Sequence, residues 1–146
     1  APGVMDADIT DYHIDALVRF LRPGAFVIQL PDELDEDDPW SKAAFETFNV
    51  LEAARDLNGE FLQNAILPEP VNTRVKSDDF VASYVNWYVC NGAVIAPEFG
   101  DMERDSEVNA VLKEIYPGRE IVMMNTDPIG EVGGGIHCAT HEQPKV

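Results

Sequence analysis

Hydrophobic and polar residues form alternating or short continuous runs in the first half of the chain, and turn residues separate these runs. The residues Arg22-Pro23-Gly24 predict a turn between two strands, which makes a hairpin. Apolar residues then recur at helical spacing after Asp38-Pro39, which are a suitable N-cap and first helical residue. The predicted elements are a strand over residues 13–21, a strand over 25–30, a helix from Asp38-Pro39 to the Asn58-Gly59 stop, and a strand over 61–67.

The same order of elements returns in the second half of the chain. Asn91-Gly92 predicts a tight hairpin turn, and Pro117-Gly118 ends a helical pattern. The predicted elements are a strand over residues 83–90, a strand over 93–99, a helix from about Ser106, and a strand over 120–125. The chain therefore contains two ββαβ units, about 10–70 and 80–127, and a third unit begins at the Gly133 run.

This repeat has a consequence for three polar residues, His13, Asn86 and Cys138, because each is predicted on the opening strand of a successive unit. Units arranged around a common axis would bring these equivalent positions together in one site. On such a strand His13 and Asp15 would share one face. Arg19 would share that face too, and it either orients Asp15 through a charge-assisted bond or ends in solvent.

A cysteine follows three glycines in the segment Gly133-Gly134-Gly135-Ile136-His137-Cys138. The glycines allow backbone conformations that side chains forbid, and a nearby histidine favours the thiolate form, so Cys138 is a candidate nucleophile. Two alternatives stay open. Cys138 is a small buried hydrophobic residue, or Cys138, His137 and His141 bind zinc, although the usual spacing of a structural zinc site is absent.

For the other candidate residues, an ordinary structural or surface role is an alternative to a role in the site. His13 can move protons near neutral pH, and an ionised Asp15 can bind a cation. Both could instead be ordinary surface residues at a strand edge. Asn86 lies among aromatic residues and needs hydrogen-bond partners if it is buried, which suits either a role in the site or a structural bond to the backbone.

Composition narrows the range of functions. The 146 residues are 45% hydrophobic, which is enough for one domain with a core. The sequence contains no run of 18 apolar residues, so no membrane span is expected. The net charge of −17 argues against binding a nucleic-acid backbone and favours a cationic substrate, although an acidic surface also simply promotes solubility. The two cysteines form no disulfide framework; they leave the compartment open and favour a reducing one such as the cytoplasm.

Taken together, the motifs resemble a known family. They are Thr10-Asp11-x-His13-x-Asp15-x-x-x-Arg19-Phe20, the Gly133 to Cys138 segment, residues 82–86, 91–95 and 99–101, and Tyr116-Pro117-Gly118-Arg119. The chain is similar over nearly all its length to the agmatine deiminase and bacterial-type peptidylarginine deiminase family of the pentein superfamily. The absence of an asparagine between Gly135 and Ile136 departs from many agmatine deiminases.

The resemblance implies an α/β propeller of ββαβ modules and a hydrolase that converts a guanidino group to a ureido group plus ammonia. It implies that the Cys138 thiolate forms a covalent adduct, that His13 transfers protons, and that Asp15 binds the guanidinium group. Asn86 matches a position of the catalytic set in the peptidylarginine branch. The resemblance implies no metal and no organic cofactor. The substrate would be agmatine, in a step towards putrescine, or peptidyl-arginine, and the sequence does not choose between them.

Members of that family are much longer than this chain, so the resemblance implies that residues 1–146 are the C-terminal part of a single catalytic domain. The missing N-terminal half would then belong to the same protein, to a separate chain or to an oligomer. Two other functions remain open: an amidinotransferase of the same superfamily, and a non-catalytic fragment or pseudoenzyme. No nucleic-acid or membrane partner is expected.

Overall fold

The computed structural model describes residues 13–77 and 79–144, which form a mixed α/β fold. The elements in chain order are a 3₁₀ helix (Ile14–Ala16), β1 (Val18–Arg22), β2 (Ala25–Leu30), α1 (Pro39–Ala53), β3 (Gln63–Pro68), β4 (Tyr88–Cys90), β5 (Ala93–Glu98), α2 (Met102–Ile115), β6 (Glu120–Asn125) and α3 (Asp127–Gly130). In this described part of the chain, no helix combines the length and hydropathy that a membrane span requires.

The strands form two three-stranded sheets with the orders β1-β2-β3 and β4-β5-β6. In each sheet the first two strands are antiparallel and the last two are parallel. A parallel pair needs a crossover connection, and α1 and α2 supply it in the two sheets. Each half of the described chain thus has the predicted ββαβ order of elements.

The two ββαβ units share buried residues. Every residue of β2 is buried, and Val27 from β2 and Leu67 from β3 pack in one hydrophobic cluster with Tyr84, Trp87 and Val94. A second cluster lies between β2 and α1 and includes Phe26, Ile28 and Ala44. The segment that joins the units is therefore held between them, and the buried turn around Asn86 is part of this segment.

The predicted strands over residues 13–21 and 83–90 are too long. Strand β1 begins only at Val18 and β4 only at Tyr88. The preceding residues do not pair as strands because their polar groups bind each other: Ser83 Oγ donates to the Ala16 carbonyl and Asn86 Nδ2 to the Asp15 carbonyl. The prediction that His13, Asn86 and Cys138 lie on opening strands is therefore wrong.

Helix α1 is shorter than predicted and ends at Ala53, not at Asn58-Gly59. Its C-cap residue Ala54 is extended, and Arg55 and Phe61 form an antiparallel bridge instead of a further helical turn.

Two further boundaries differ from prediction. Helix α2 begins at Met102 rather than near Ser106, because Asp101 caps it by accepting a hydrogen bond from the Arg104 N–H. Asp101 also accepts from the backbone N–H groups of Val71 and Asn72, which fixes the preceding loop. After Gly133, the residues described up to position 144 form turns and irregular structure, so no opening strand of a third unit is seen there.

Candidate active site

The site begins at the contact between the 3₁₀ helix and the buried turn at residues 83–87. Asn86 Nδ2 donates to the Asp15 carbonyl oxygen at 3.0 Å, and Ser83 Oγ donates to the Ala16 carbonyl oxygen at 2.7 Å. These two bonds satisfy carbonyls that a strand would have paired. They fix the backbone of Asp15 against the turn that carries Asn86.

Gln29, on the central strand of the first sheet, binds the same turn through both ends of its side-chain amide. Its side chain is 6% exposed, and its Oε1 accepts a hydrogen bond from the Tyr84 N–H at 2.7 Å. Its Nε2 donates to the Ala82 carbonyl at 3.1 Å. Because a buried amide with both ends bonded is costly to displace, Gln29 makes the turn a rigid support for Asn86.

Asn86 connects this support to the C-terminal segment. The residue is 1% exposed, and its Oδ1 accepts a hydrogen bond from the His137 N–H at 2.8 Å. Its Nδ2 lies 3.3 Å from Cys138 Sγ and donates to the sulfur. A buried asparagine was expected to need partners, and the side chain of this one bonds two other segments of the chain, at Asp15 and at residues 137–138.

The three glycines before Cys138 have different roles. Gly133 has a φ of +80°, a conformation that favours glycine. Gly135 needs no such φ, but a Cβ there would lie 2.2 Å from Asn86 Oδ1 and 2.6 Å from Asn86 Cγ. A Cβ at Gly134 would meet only ordinary contacts, the nearest at 3.6 Å. Gly133 therefore provides a backbone conformation that favours glycine, and Gly135 allows the segment to pack closely on Asn86.

Cys138 lies in a turn at the surface, and its side chain is exposed. The alternative of a buried hydrophobic cysteine is therefore wrong. Its Sγ lies 3.4 Å from Asp15 Oδ2, close enough for the thiol to donate a hydrogen bond to the carboxylate. The structure thus brings together a cysteine sulfur, a carboxylate and an amide from three segments of the chain.

The Asp15 carboxylate is half-buried and has a second partner, the ring of His137, with Nδ1 2.7 Å from Oδ2. Burial by itself would raise the pKa of Asp15. The hydrogen bonds from His137 and Cys138, together with the charges of His137 and His13, outweigh burial and lower this pKa below its usual value. Asp15 is therefore held ionised, which suits the binding of a cation.

His137 was predicted only as a possible zinc ligand, and not as a residue of the deiminase site. Its position beside Cys138 was the only signal in the sequence, and the contact with Asp15 spans 122 residues. His13, in contrast, is exposed and precedes the 3₁₀ helix as its N-cap residue. No hydrogen bond joins its ring to Cys138 among residues 13–77 and 79–144, although its charge is near enough to lower the pKa of Asp15.

Two sequence-based expectations about neighbouring residues change. His13 and Asp15 do not share a strand face, because both precede β1. Arg19 does not bond Asp15; its guanidinium donates to the Trp87 carbonyl and lies over the Trp87 ring, 5.1 Å from the centroid. Thr10 and Asp11 of the N-terminal motif lie outside the described residues.

The zinc alternative for Cys138, His137 and His141 finds no support in this arrangement. Within the described ranges, no group of three or more His, Cys, Asp or Glu side chains is placed to hold a metal ion. The His137 Nδ1 is directed to Asp15, and His141 is exposed.

Comparisons with known proteins agree on one family. The family model of Porphyromonas-type peptidyl-arginine deiminases matches residues 1–144. The agmatine deiminase of Medicago truncatula is 32% identical, over 99% of this chain and 43% of its own length. That of Pseudomonas aeruginosa (strain LESB58) is 33% identical, over 98% of this chain and 43% of its own length.

A solved structure of the agmatine deiminase of Enterococcus faecalis has a similar fold. It matches 93% of this chain with a TM-score of 0.80 and 27% identity, and the match covers 41% of its own chain. The chain therefore spans less than half the length of these relatives.

Proposed function

The chain belongs to the Porphyromonas-type peptidyl-arginine deiminase family of the pentein superfamily, and from this premise we propose that its site takes part in deimination. In this reaction a guanidino group is hydrolysed to a ureido group and ammonia. Relatives named agmatine deiminase support a guanidine hydrolase, because they are 32% and 33% identical to this chain over the aligned residues.

The observation that carries the proposal is the distance of 3.4 Å between Cys138 Sγ and Asp15 Oδ2. A guanidinium group is planar and pairs its N–H groups with a carboxylate. A guanidinium bound to Asp15 would therefore have its carbon within reach of the Cys138 sulfur. The lowered pKa of Asp15 keeps the carboxylate charged for this contact.

In the first proposed step the Cys138 thiolate attacks the guanidinium carbon, and a C–S bond forms. One C–N bond then breaks, and the departing nitrogen takes a proton and leaves as ammonia. Asn86 assists by placing an N–H donor 3.3 Å from the sulfur, an arrangement that suits a thiolate. We assign Asn86 a positioning role, since it is buried and bonded on both ends of its amide.

In the second proposed step water attacks the carbon of the adduct. A C–O bond forms, the C–S bond breaks, and the ureido product leaves with the Cys138 sulfur restored. Both steps need a group that gives and then takes a proton. We assign this role to His13 from the family resemblance, and its exposed position beside the Asp15 turn leaves its ring accessible to substrate and water.

We propose a small cationic guanidine as the substrate, with agmatine first and peptidyl-arginine second. The relatives' names favour agmatine, and the family description names peptidyl-arginine. The net charge of −17 would attract either cation at long range.

The architecture around the site is also a proposal. Two ββαβ units that share a core are consistent with consecutive modules of a propeller around the site. Further modules, in the same protein, in a separate chain or in an oligomer, would then supply the remaining walls of the substrate site.

The proposal is tested by incubating the full-length protein that carries this chain with agmatine and with a peptidyl-arginine substrate. N-carbamoylputrescine and peptidyl-citrulline are then measured side by side. We expect one of the two ureido products with an equal amount of ammonia, and none from the Cys138→Ala variant. Transfer of the amidino group to an added amine instead of water would indicate an amidinotransferase. An unreduced rate in Cys138→Ala would contradict the proposal.

A further inference from the structure

We propose that His137 is a positioning residue for substrate recognition: its ring Nδ1 holds Asp15 Oδ2, so that Asp15 presents Oδ1 to the cationic group of the substrate. The inference rests on the proposed function, because it concerns the same cation site. His137 has no other part in the reaction proposed above.

The contact itself is direct. His137 Nδ1 lies 2.7 Å from Asp15 Oδ2, and Cys138 Sγ lies 3.4 Å from the same oxygen. A carboxylate only accepts hydrogen bonds, so the imidazole carries its hydrogen on Nδ1. Among the described residues no hydrogen bond reaches Asp15 Oδ1, which leaves that oxygen for the ligand.

The backbone of His137 is fixed by the support already described. The His137 N–H donates to Asn86 Oδ1 at 2.8 Å, and Asn86 Nδ2 donates to the Asp15 carbonyl at 3.0 Å. Asp15 is therefore held at its backbone by Asn86 and at its carboxylate by His137. Since His137 precedes Cys138, the anchor of the carboxylate and the nucleophile belong to one segment.

Removal of the imidazole would free the Asp15 carboxylate to rotate, because the terminal torsion of an aspartate is soft. The cation would then have to order the carboxylate on binding, which weakens recognition. The sulfur would keep its Asn86 donor. We therefore expect a selective loss of cation recognition and little change in the reactivity of the thiol.

The test compares two reagents that differ in charge. Chloroacetamidine is a cation with the planar N–H pair of a guanidinium group, and chloroacetamide is its neutral counterpart. Both alkylate a thiolate by forming a C–S bond while chloride leaves. Mass spectrometry of the peptide that contains Cys138 gives the two rates, and their ratio measures cation recognition without turnover.

The ratio is measured for the full-length wild-type protein and for four variants: His137→Ala, His137→Asn, His137→Gln and His141→Asn. The asparagine amide nitrogen takes the place of Nδ1, whereas the glutamine nitrogen lies one bond further out. We expect the ratio to fall about tenfold in His137→Ala and His137→Gln, the size of one hydrogen bond to a charged group. We expect His137→Asn to restore most of it, and His141→Asn, at an exposed position, to leave it unchanged.

Two results would overturn the inference: a wild-type protein without preference for the cation, or an unchanged ratio in His137→Ala. An unchanged ratio with an equal fall of both rates would mean that His137 serves the thiol or the local fold. The proposed function fails separately. If the ratio behaves as expected and no ureido product forms from any guanidine, deimination is wrong and the positioning role stands.

Discussion

Asp15 and Glu69 are both half-buried carboxylates, and the fold affects them in opposite ways. At Asp15, hydrogen bonds from His137 and Cys138 outweigh burial and lower the pKa. At Glu69, after β3, burial together with the charges of Asp38 and Asp32 raises the pKa to about 7. Among the described residues, no donor or cation faces the Glu69 carboxylate.

Burial of an acid does not by itself make a cation site. Burial and an acidic neighbourhood favour the neutral form of Glu69 at any pH below its pKa of about 7, and a neutral acid attracts no cation. Asp15 is kept charged because His137 and Cys138, two neighbouring residues of a distant segment, direct hydrogen bonds to its carboxylate. A candidate site is thus recognised by the donors that surround its carboxylate.

The largest effect on activity is expected when the same chemical change, carboxylate to amide, is made at Asp15 and at Glu69. Asp15→Asn removes the charge that pairs with the substrate, and we expect kcat/KM to fall at least about a hundredfold, the order of a lost buried charge pair. Glu69→Gln removes a carboxyl that has no part in the site, so its kcat/KM should stay within about twofold. Both values are measured by steady-state kinetics on the full-length protein. Equal losses of kcat/KM in the two variants would contradict a specific role of Asp15 in binding the substrate.

A smaller effect is expected from the glycines that support the site. Gly135→Ala places a Cβ against Asn86 Oδ1 and displaces the amide from the Cys138 sulfur. We expect about a tenfold loss of kcat/KM and a destabilisation of about 1–3 kcal/mol, typical of overpacking. Gly134→Ala is the matched control, because its Cβ meets only ordinary contacts. Equal effects of the two variants, in kinetics and in thermal unfolding, would show that Asn86 does not require the close approach.

The smallest effect concerns stability and pH. Glu69 has a raised pKa, so the folded protein binds more protons than the unfolded chain between the ordinary value of 4.5 and about 7. Its contribution to the free energy of unfolding is full below this range and is lost as the pH rises through it. The loss is on the order of 1–3 kcal/mol, and Glu69→Gln should lack it. Denaturant unfolding at pH 5 and pH 8 measures the difference.

Asp15 contributes to stability with the opposite sign. Its pKa is lowered from 3.8, so its contribution is present above that value and is lost as the pH falls through the folded pKa. Asp15→Asn should therefore alter the pH dependence of unfolding only in the acid range. A shared pH window for Asp15→Asn and Glu69→Gln would show that the two carboxylates do not differ as described.

The hydrophobic pattern predicted the order of strands and helices well, because β2 is a continuous buried run and α1 buries residues at helical spacing. It failed around Asp15 and Asn86, where apolar residues suggested strands. There, side chains of a distant segment bind the backbone, and a local sequence pattern cannot predict such bonds.

The candidate site was predicted in part. Asn86 and Cys138 are brought together as expected, although through turns and not through equivalent strands, and Asp15 joins them. The third residue expected to meet them, His13, makes no hydrogen bond to Cys138 among residues 13–77 and 79–144. The contact between His137 and Asp15 could not be predicted, since it depends on packing between residues 122 positions apart.

The central claim is that the Cys138 sulfur and the Asp15 carboxylate act on one guanidinium group. To test this claim, the full-length protein is quenched with acid during turnover of agmatine. The peptide that contains Cys138 is then analysed by mass spectrometry. We predict an amidine adduct on Cys138 in the wild-type protein and its absence in Asp15→Asn. Continued turnover with the adduct on another residue, or an equal amount of adduct in Asp15→Asn, would contradict the account.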